Sequence, residues 1–207
     1  MTHLLSRIFR PVRWSLSKTA PAKEPVTLED MKAHARIDDF DNEATVGGFI
    51  VAGREWVENH THRALITQTF ILKISSFPLV REAIIELMGG KVQSVTSIQY
   101  VDTSGATQTL ATSEYVVDAD WEPGRISLAF DKTWPAIREW GLPITITYVA
   151  GYGDDPADVP ASLRSAIKII ASDLYENRED EIIGQTVSSV PWGAKVLASA
   201  YRVIRMV

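Results

Sequence analysis

The sequence contains no cysteine, which excludes disulfide staples, thiolate catalysis and cysteine-based zinc sites. A disulfide-free chain suits a reducing compartment. No run of about 18 apolar residues occurs, so no membrane-spanning helix is expected. Histidine is scarce, with only His3, His34, His60 and His62. His60 and His62 lie two apart and cannot share a helical face, and no third ligand is marked, so no metal site is expected. Asp38 to Glu43 is acidic but lacks the central Gly and the late Glu of a calcium loop, and reads as a turn that caps a helix. Neither G-x-S-x-G nor H-E-x-x-H is present. Gly151-Tyr152-Gly153 sits between a strand and a helix, where phosphate loops occur. It lacks G-x-G-x-x-G, and Asp154, Asp155 and Asp158 would repel phosphate. The sequence therefore nominates no catalytic residue, no metal ligand and no cofactor.

What is present is ordinary globular chemistry, 45% apolar and 23% charged over 207 residues. That length fits one domain with tails, or at most two small ones. The net charge of −5 conceals an asymmetry. Residues 1–25 carry Arg7, Arg10, Arg13, Lys18 and Lys23 against Glu24, a local charge of +4, and the remainder carries −9. An acidic body does not read nucleic acid, because neutralising phosphates takes concentrated Lys and Arg. The arm can meet DNA, an acidic neighbour or solvent, and reads as a solvated arm ending at Pro21 and Pro25.

Thr27 is placed to cap a short helix over Leu28–Ile37, with Asp30 three residues on. Asn42 or Asp41 can cap a second helix, whose apolar stripe is Val46, Phe49, Ile50, Gly53, Trp56, Val57 and His60. Its Gly47, Gly48 and Gly53 point to close approach of another backbone. From Thr67 to Gly151 the period changes to two. Strands are expected at 69–74, 84–87, 92–101, 107–110, 115–117, 125–130 and 144–149, in an antiparallel meander of local connections. Asp102 to Gly105 is a turn. Pro160 opens a third helix with the stripe Leu163, Ala166, Ile167, Ile170 and Leu174. Trp192–Met206 forms a last helix, with Val196, Leu197, Ala200, Tyr201 and Ile204 on one face and Lys195, Arg202 and Arg205 opposite. The fold class is α+β: N-terminal helices, an antiparallel meander or small sheet, a C-terminal helix and a tail helix. The expected organisation is a basic arm at 1–25, a domain at 26–180 and a docking tail at 181–207. A helix this short needs a surface to lie on, and a protein surface suits its modest apolar face better than lipid. Trp121, Trp134 and Trp140 fall in loop-like sequence, where aromatics serve a core or an interface.

The order of several segments resembles the head–tail connector (adaptor) proteins of long-tailed phages, prophages and gene transfer agents. Val26 to Ile37 before an acidic break resembles the family's opening, and so does Ala52-Gly53-Arg54-Glu55-Trp56-Val57-Glu58 leading to Thr61-His62-Arg63-Ala64-Leu65 and Thr67-Gln68-Thr69. Val92 to Ile98 with Val101-Asp102 and Gly105 also matches. So does Tyr148-Val149-Ala150-Gly151-Tyr152-Gly153 running into Val159-Pro160-Ala161. The family commonly has Gly where this chain has His62, which implies a left-handed helix end there. Gly89-Gly90-Lys91 replaces a Pro-containing turn.

The resemblance implies a structural protein of the virion neck, assembled in the bacterial host cytoplasm, and not an enzyme. It would form a ring of about twelve copies. The ring would sit between the portal protein and a stopper or tail-completion protein, with DNA passing through its lumen unread and no membrane involved. Docking on the portal would use Trp192, Leu197, Tyr201 and Ile204 as anchors, with Arg202 and Arg205 pairing with acidic groups. The alternatives are another neck or tail-completion protein, or a small hydrolase assembled from scattered Asp and His.

Overall fold

A computed structural model describes residues 12–37, 42–78, 84–177 and 190–203. These form strands β1 (Trp14–Lys18), β2 (Gln68–Ile74), β3 (Ile85–Leu87), β4 (Val92–Val101), β5 (Thr107–Thr109), β6 (Tyr115–Asp118), β7 (Gly124–Leu128) and β8 (Ile144–Ala150). The helices are α1 (Leu28–Ala35), α2 (Glu43–Thr61), α3 (Ala161–Glu176) and α4 (Trp192–Ser199). The α+β class holds.

The chain divides into two compact units. The first is built from the described parts of Met1–Thr19, Thr69–Leu87 and Val92–Val149. Its strands fall in a five-stranded sheet, β1-β2-β8-β4-β5, and a three-stranded sheet, β3-β7-β6. The pairs β1–β2, β4–β5, β3–β7 and β6–β7 are antiparallel. Local connection accounts for only part of this order, because β8 lies between β2 and β4 although it is last in sequence. Period two explains the burial. Phe70, Leu72 and Ile74 of β2 and Ile144, Ile146 and Tyr148 of β8 are buried while their neighbours alternate outward. Phe70 stacks on Tyr148 with ring centroids 5.3 Å apart. Within the stretch expected as an arm, Trp14–Lys18 pairs as an edge strand against β2, in register from Trp14↔Ile74 to Lys18↔Phe70. Its side chains stay mostly exposed, so backbone hydrogen bonds place it rather than burial. The β4–β5 turn is tied by Asp102, whose carboxylate accepts from Ser104 N (2.9 Å), Ala106 N (3.0 Å) and Gln108 Nε2 (2.9 Å). These donors, led by the Ser104 hydroxyl, hold its pKa down to about 2.

The second unit holds the four helices. Thr27 caps α1 by accepting from Asp30 N, and Asn42 caps α2 by accepting from Ala44 N, both at 3.0 Å. The first helix stops at Ala35, earlier than Ile37, because Arg36 turns left-handed (φ 52°). The second stops at His62, also left-handed (φ 58°, ψ 35°), as the resemblance implied. Gly53 lets α2 approach α3: a Cβ there would lie 3.0 Å from the Ile167 carbonyl. Gly47 and Gly48 face open space, so close approach explains only one of the three glycines. The core gathers Met31, Val57, Leu65, Leu163 and Ile167, all fully buried.

Candidate docking surface

The helix α4 lies on its own unit. Ala194 and Ala198 are fully buried, and Leu197 and Tyr201 pack half-buried against the helical core. Two alanines four apart form the inward edge because they let α4 approach closely, which turns the larger Trp192 and Val196 outward. Trp192 is 79% exposed and Val196 47% exposed. The helix ends at Ser199, earlier than the expected Met206. Val203 N then donates to Thr61 O at 2.9 Å, and Arg63 Nε donates to Tyr201 O. Both bonds tie the chain after α4 to the end of α2.

His60 joins the same two helices. Its ring stacks on Trp56 (centroids 4.8 Å apart, 9° between planes), and its Nε2 lies 3.0 Å from the Ser199 hydroxyl. Burial lowers its pKa below the ordinary histidine value, and the nearby charges of Arg202, Lys195 and His62 push the same way. A base whose folded pKa is depressed takes up more protons in the unfolded chain. Stability contributed by neutral His60 is therefore complete above about pH 6.5 and is lost as pH falls through the lower folded value. We expect His60 to titrate below its free value by NMR. His60→Gln should flatten the loss of stability as pH falls below about 6.5, and an unchanged acid profile in that variant would overturn this assignment.

Of the six expected docking residues, Trp192 and Arg202 are exposed, and Leu197 and Tyr201 are half-buried against their own core. Ile204 and Arg205 lie outside the described residues. The outward surface of α4 and the turn after it thus presents Trp192, Lys195, Val196 and Arg202, an aromatic and an aliphatic side chain beside two cations.

In the strand-rich unit, an open groove of about 1040 Å³ is lined by Phe77, Pro78, Trp134, Pro135 and Ile137 among others. Lys23, His60, Asp102 and Tyr115, whose proton affinities are clearly shifted, do not line it. A hydrolytic site would be expected to bring such groups together in a pocket. Among the described residues, no group of three or more His, Cys, Asp or Glu side chains could hold a metal ion, and no helix is long and apolar enough to cross a membrane.

No protein-family model and no curated protein sequence matches the chain. Solved structures do match. A chain from the neck of an empty gene transfer agent particle, computed with sixfold symmetry, aligns with a TM-score of 0.76 at 22% identity, covering 93% of this chain and 97% of that one. A chain from the native neck computed with twelvefold symmetry aligns at 0.74 and 22%, and one from the native virion at 0.73 and 23%, with the same coverage. The chain has the fold of a gene transfer agent neck protein.

Within this neck-protein fold, the sequence segments that carried the resemblance have structural work to do. Ala52 to Glu58 holds Gly53 at the α2–α3 crossing and a buried ionic network. Arg54 Nε bonds Glu24 Oε2 (2.8 Å), and Arg54 Nη1 bonds Glu58 Oε2 (3.1 Å). Glu58 Oε1 also accepts from Gln68 Nε2 (2.7 Å) and Leu65 N (3.2 Å). Arg54, Glu58 and Gln68 are buried. The periodicity reading missed this network. The signal was available: Arg54 and Glu58 are four apart, next to the apolar stripe of one helix.

Gly151 and Gly153 turn the chain from sheet to helix, as their setting implied. Trp134 stacks on Phe77 (4.5 Å, 4°), so one of the three loop tryptophans packs internally. Trp121 is 45% exposed beneath the Arg125 guanidinium, and Trp140 is 80% exposed.

Proposed function

We propose that this protein is a head–tail connector, a structural subunit of the virion neck that joins the portal of a DNA-filled head to a stopper or tail-completion protein. The observation that carries this reading is the match along nearly the whole length of both chains to necks computed with sixfold and twelvefold symmetry. The ordered segments of the sequence support it independently. A ring of copies follows from such symmetry, with about twelve subunits as the expected size. The acidic body suits a conduit, because it would repel passing DNA rather than grip it. The role is structural rather than catalytic, and it involves no cofactor.

Docking on the portal is assigned to the outer surface of α4, through Trp192 and Arg202. Aromatic and Arg side chains commonly anchor interfaces, and the cations favour an acidic partner surface. Removing residues 190–207 would also strip Ala194 and Ala198 from the core, so point substitutions on the outer face give the cleaner test.

The mass of the full chain, alone and mixed with its cognate portal protein, is read by light scattering on a sizing column. A ring alone, or co-elution with the portal near one to one, is the expected outcome. Trp192→Ser combined with Arg202→Glu should weaken portal binding at least tenfold while leaving the circular dichroism unchanged. A monomer indifferent to the portal overturns the connector reading. Unchanged portal binding by the double variant overturns the α4 assignment.

A further inference from the structure

The strand β1 is the outer strand of the five-stranded sheet, and among the described residues it pairs with β2 alone. The bonds at its two ends fix which groups face the open side. Ser75 N donates to Arg13 O at 2.9 Å, and Thr19 N donates to Thr69 O at 3.0 Å. Residues of an antiparallel strand alternate between bonding the neighbour and turning away from it. Arg13, Ser15, Ser17 and Thr19 therefore face β2, while Trp14 and Leu16 turn their N–H and C=O groups to the open edge. A row of this kind is a template for a further strand.

The side chains favour the same addition. Trp14 and Leu16 stand across from Ile74 and Leu72, so they share the face on which β2 buries its apolar row. Trp14 is nonetheless 56% exposed, and Val12, two residues earlier, is 52% exposed. The buried face of the sheet thus runs out into an uncovered apolar rim at β1. A strand added there would cover the rim with every second side chain of its own.

The opposite face specifies the charge of the occupant. Residues 12–19 and 68–76 contain Arg13, Lys18 and Lys73 and no acidic residue. Lys73 stands across from Ser15, and Arg13 from Ser75, on the side away from the apolar rim. Acidic side chains on that side of an added strand would meet these cations, and basic ones would be repelled. A second copy of β1 is disfavoured for the same reason, since it would bring Arg13 and Lys18 against their own kind. A nucleic-acid strand has no peptide ladder to offer the open N–H and C=O groups.

We infer that the open edge of β1 docks an extended segment of another protein, in which apolar and acidic side chains alternate. Main-chain bonds to Trp14 and Leu16 supply affinity, and contacts with Trp14, Arg13 and Lys73 supply specificity. This edge shares no residue with α4, so it stands apart from the portal-docking assignment.

A labelled, strand-length peptide of alternating Glu and Val, titrated with the full chain and followed by fluorescence anisotropy, tests this. It should bind saturably, and more weakly as salt is raised. The same peptide with Lys in place of Glu should bind at least tenfold more weakly. Trp14→Ser and Leu16→Pro should each weaken the Glu peptide at least tenfold with unchanged circular dichroism. Proline at position 16 removes an N–H that β2 does not use, so it closes the edge without breaking the β1–β2 ladder. Trp192→Ser, on α4, should bind the peptide as wild type does. Amide hydrogen exchange gives a second readout that needs no substitution. The Leu16 N–H should exchange at least tenfold more slowly in the complex. No binding of the Glu peptide, equal binding of the two peptides, or a Leu16 amide left unprotected in the complex overturns the inference. A single-stranded oligonucleotide that binds in place of the Glu peptide, and is lost in Trp14→Ser, overturns it in favour of nucleic acid.

Discussion

Glu58→Ala should lower the unfolding free energy by about 3–5 kcal/mol, the usual consequence of removing one partner from a buried ion pair. Glu58 is 3% exposed and accepts from Arg54 Nη1, Gln68 Nε2 and Leu65 N. Truncation leaves the Gln68 amide and the Leu65 N–H without that acceptor in a site closed to water, and removes one of the carboxylates that balance Arg54. Arg54 keeps Glu24 at 2.8 Å, which restrains the loss toward the lower end of the range. In urea unfolding followed by circular dichroism, the midpoint should fall with little change in slope. Arg54→Ala should also destabilise, and the double variant should lose clearly less than the two singles added together, because each single strands the other's charge. A loss under about 1 kcal/mol for Glu58→Ala would be incompatible with a desolvated pair.

Gly151→Ala should destabilise by about 3 kcal/mol or more, through backbone strain and collision together. Gly151 has φ +141°, a region that side-chain-bearing residues rarely enter, and it sits where β8 ends and the chain turns toward α3. An added Cβ would stand 2.7 Å from the Ile66 carbonyl oxygen and 2.8 Å from Thr67 Cα. Those atoms are backbone and have no room to yield. Thr67 N is bonded to Gly153 O at 2.9 Å, and Tyr152 N to Leu65 O at 3.1 Å. Gly105 supplies the comparison. It also has positive φ (+90°) but faces open space, so Gly105→Ala should lose only about 1 kcal/mol, the strain alone. Equal losses at the two positions would mean that the collision at Gly151 is relieved by movement of the seam between 64–67 and 151–153.

The difference between these two glycines shows how far one-dimensional pattern carries. That each allows a turn is legible from its setting, between a strand and a helix or in Asp102 to Gly105. That one touches Ile66, eighty-five positions earlier in the chain, is not. The same division runs through the helices. Thr27 and Asn42 cap as expected because capping is local, a side-chain oxygen accepting from a backbone N–H two or three residues on. The left-handed end at His62 was expected only from the family resemblance, which has Gly at that position, and the backbone there is left-handed. The stripe of α3 was read correctly down to Leu163, Ala166, Ile167 and Ile170, since a 3.6-residue period is a property of the segment itself.

The tail helix shows where pattern fails. A helical wheel put Val196, Leu197, Ala200, Tyr201 and Ile204 on one face, but α4 is placed by Ala194 and Ala198, whose small size allows close packing, with Leu197 and Tyr201 half-buried beside them and Val196 left outside. Size at a contact is decided by the neighbour, and the neighbours are α2 and α3, far away in sequence. In the same way, alternation announced the strands but not their order, because pairing β8 between β2 and β4 depends on partners that no local period encodes. Composition and motif by themselves determined the α+β class, the caps, the turns and the lack of any nominated catalytic or metal site. The tertiary structure alone decided the buried Arg54–Glu58–Gln68 network, which tail residues face outward, and the edge strand within the basic arm. Each of these is a relation between distant segments, and its energy exists only when the fold brings them within a few ångströms.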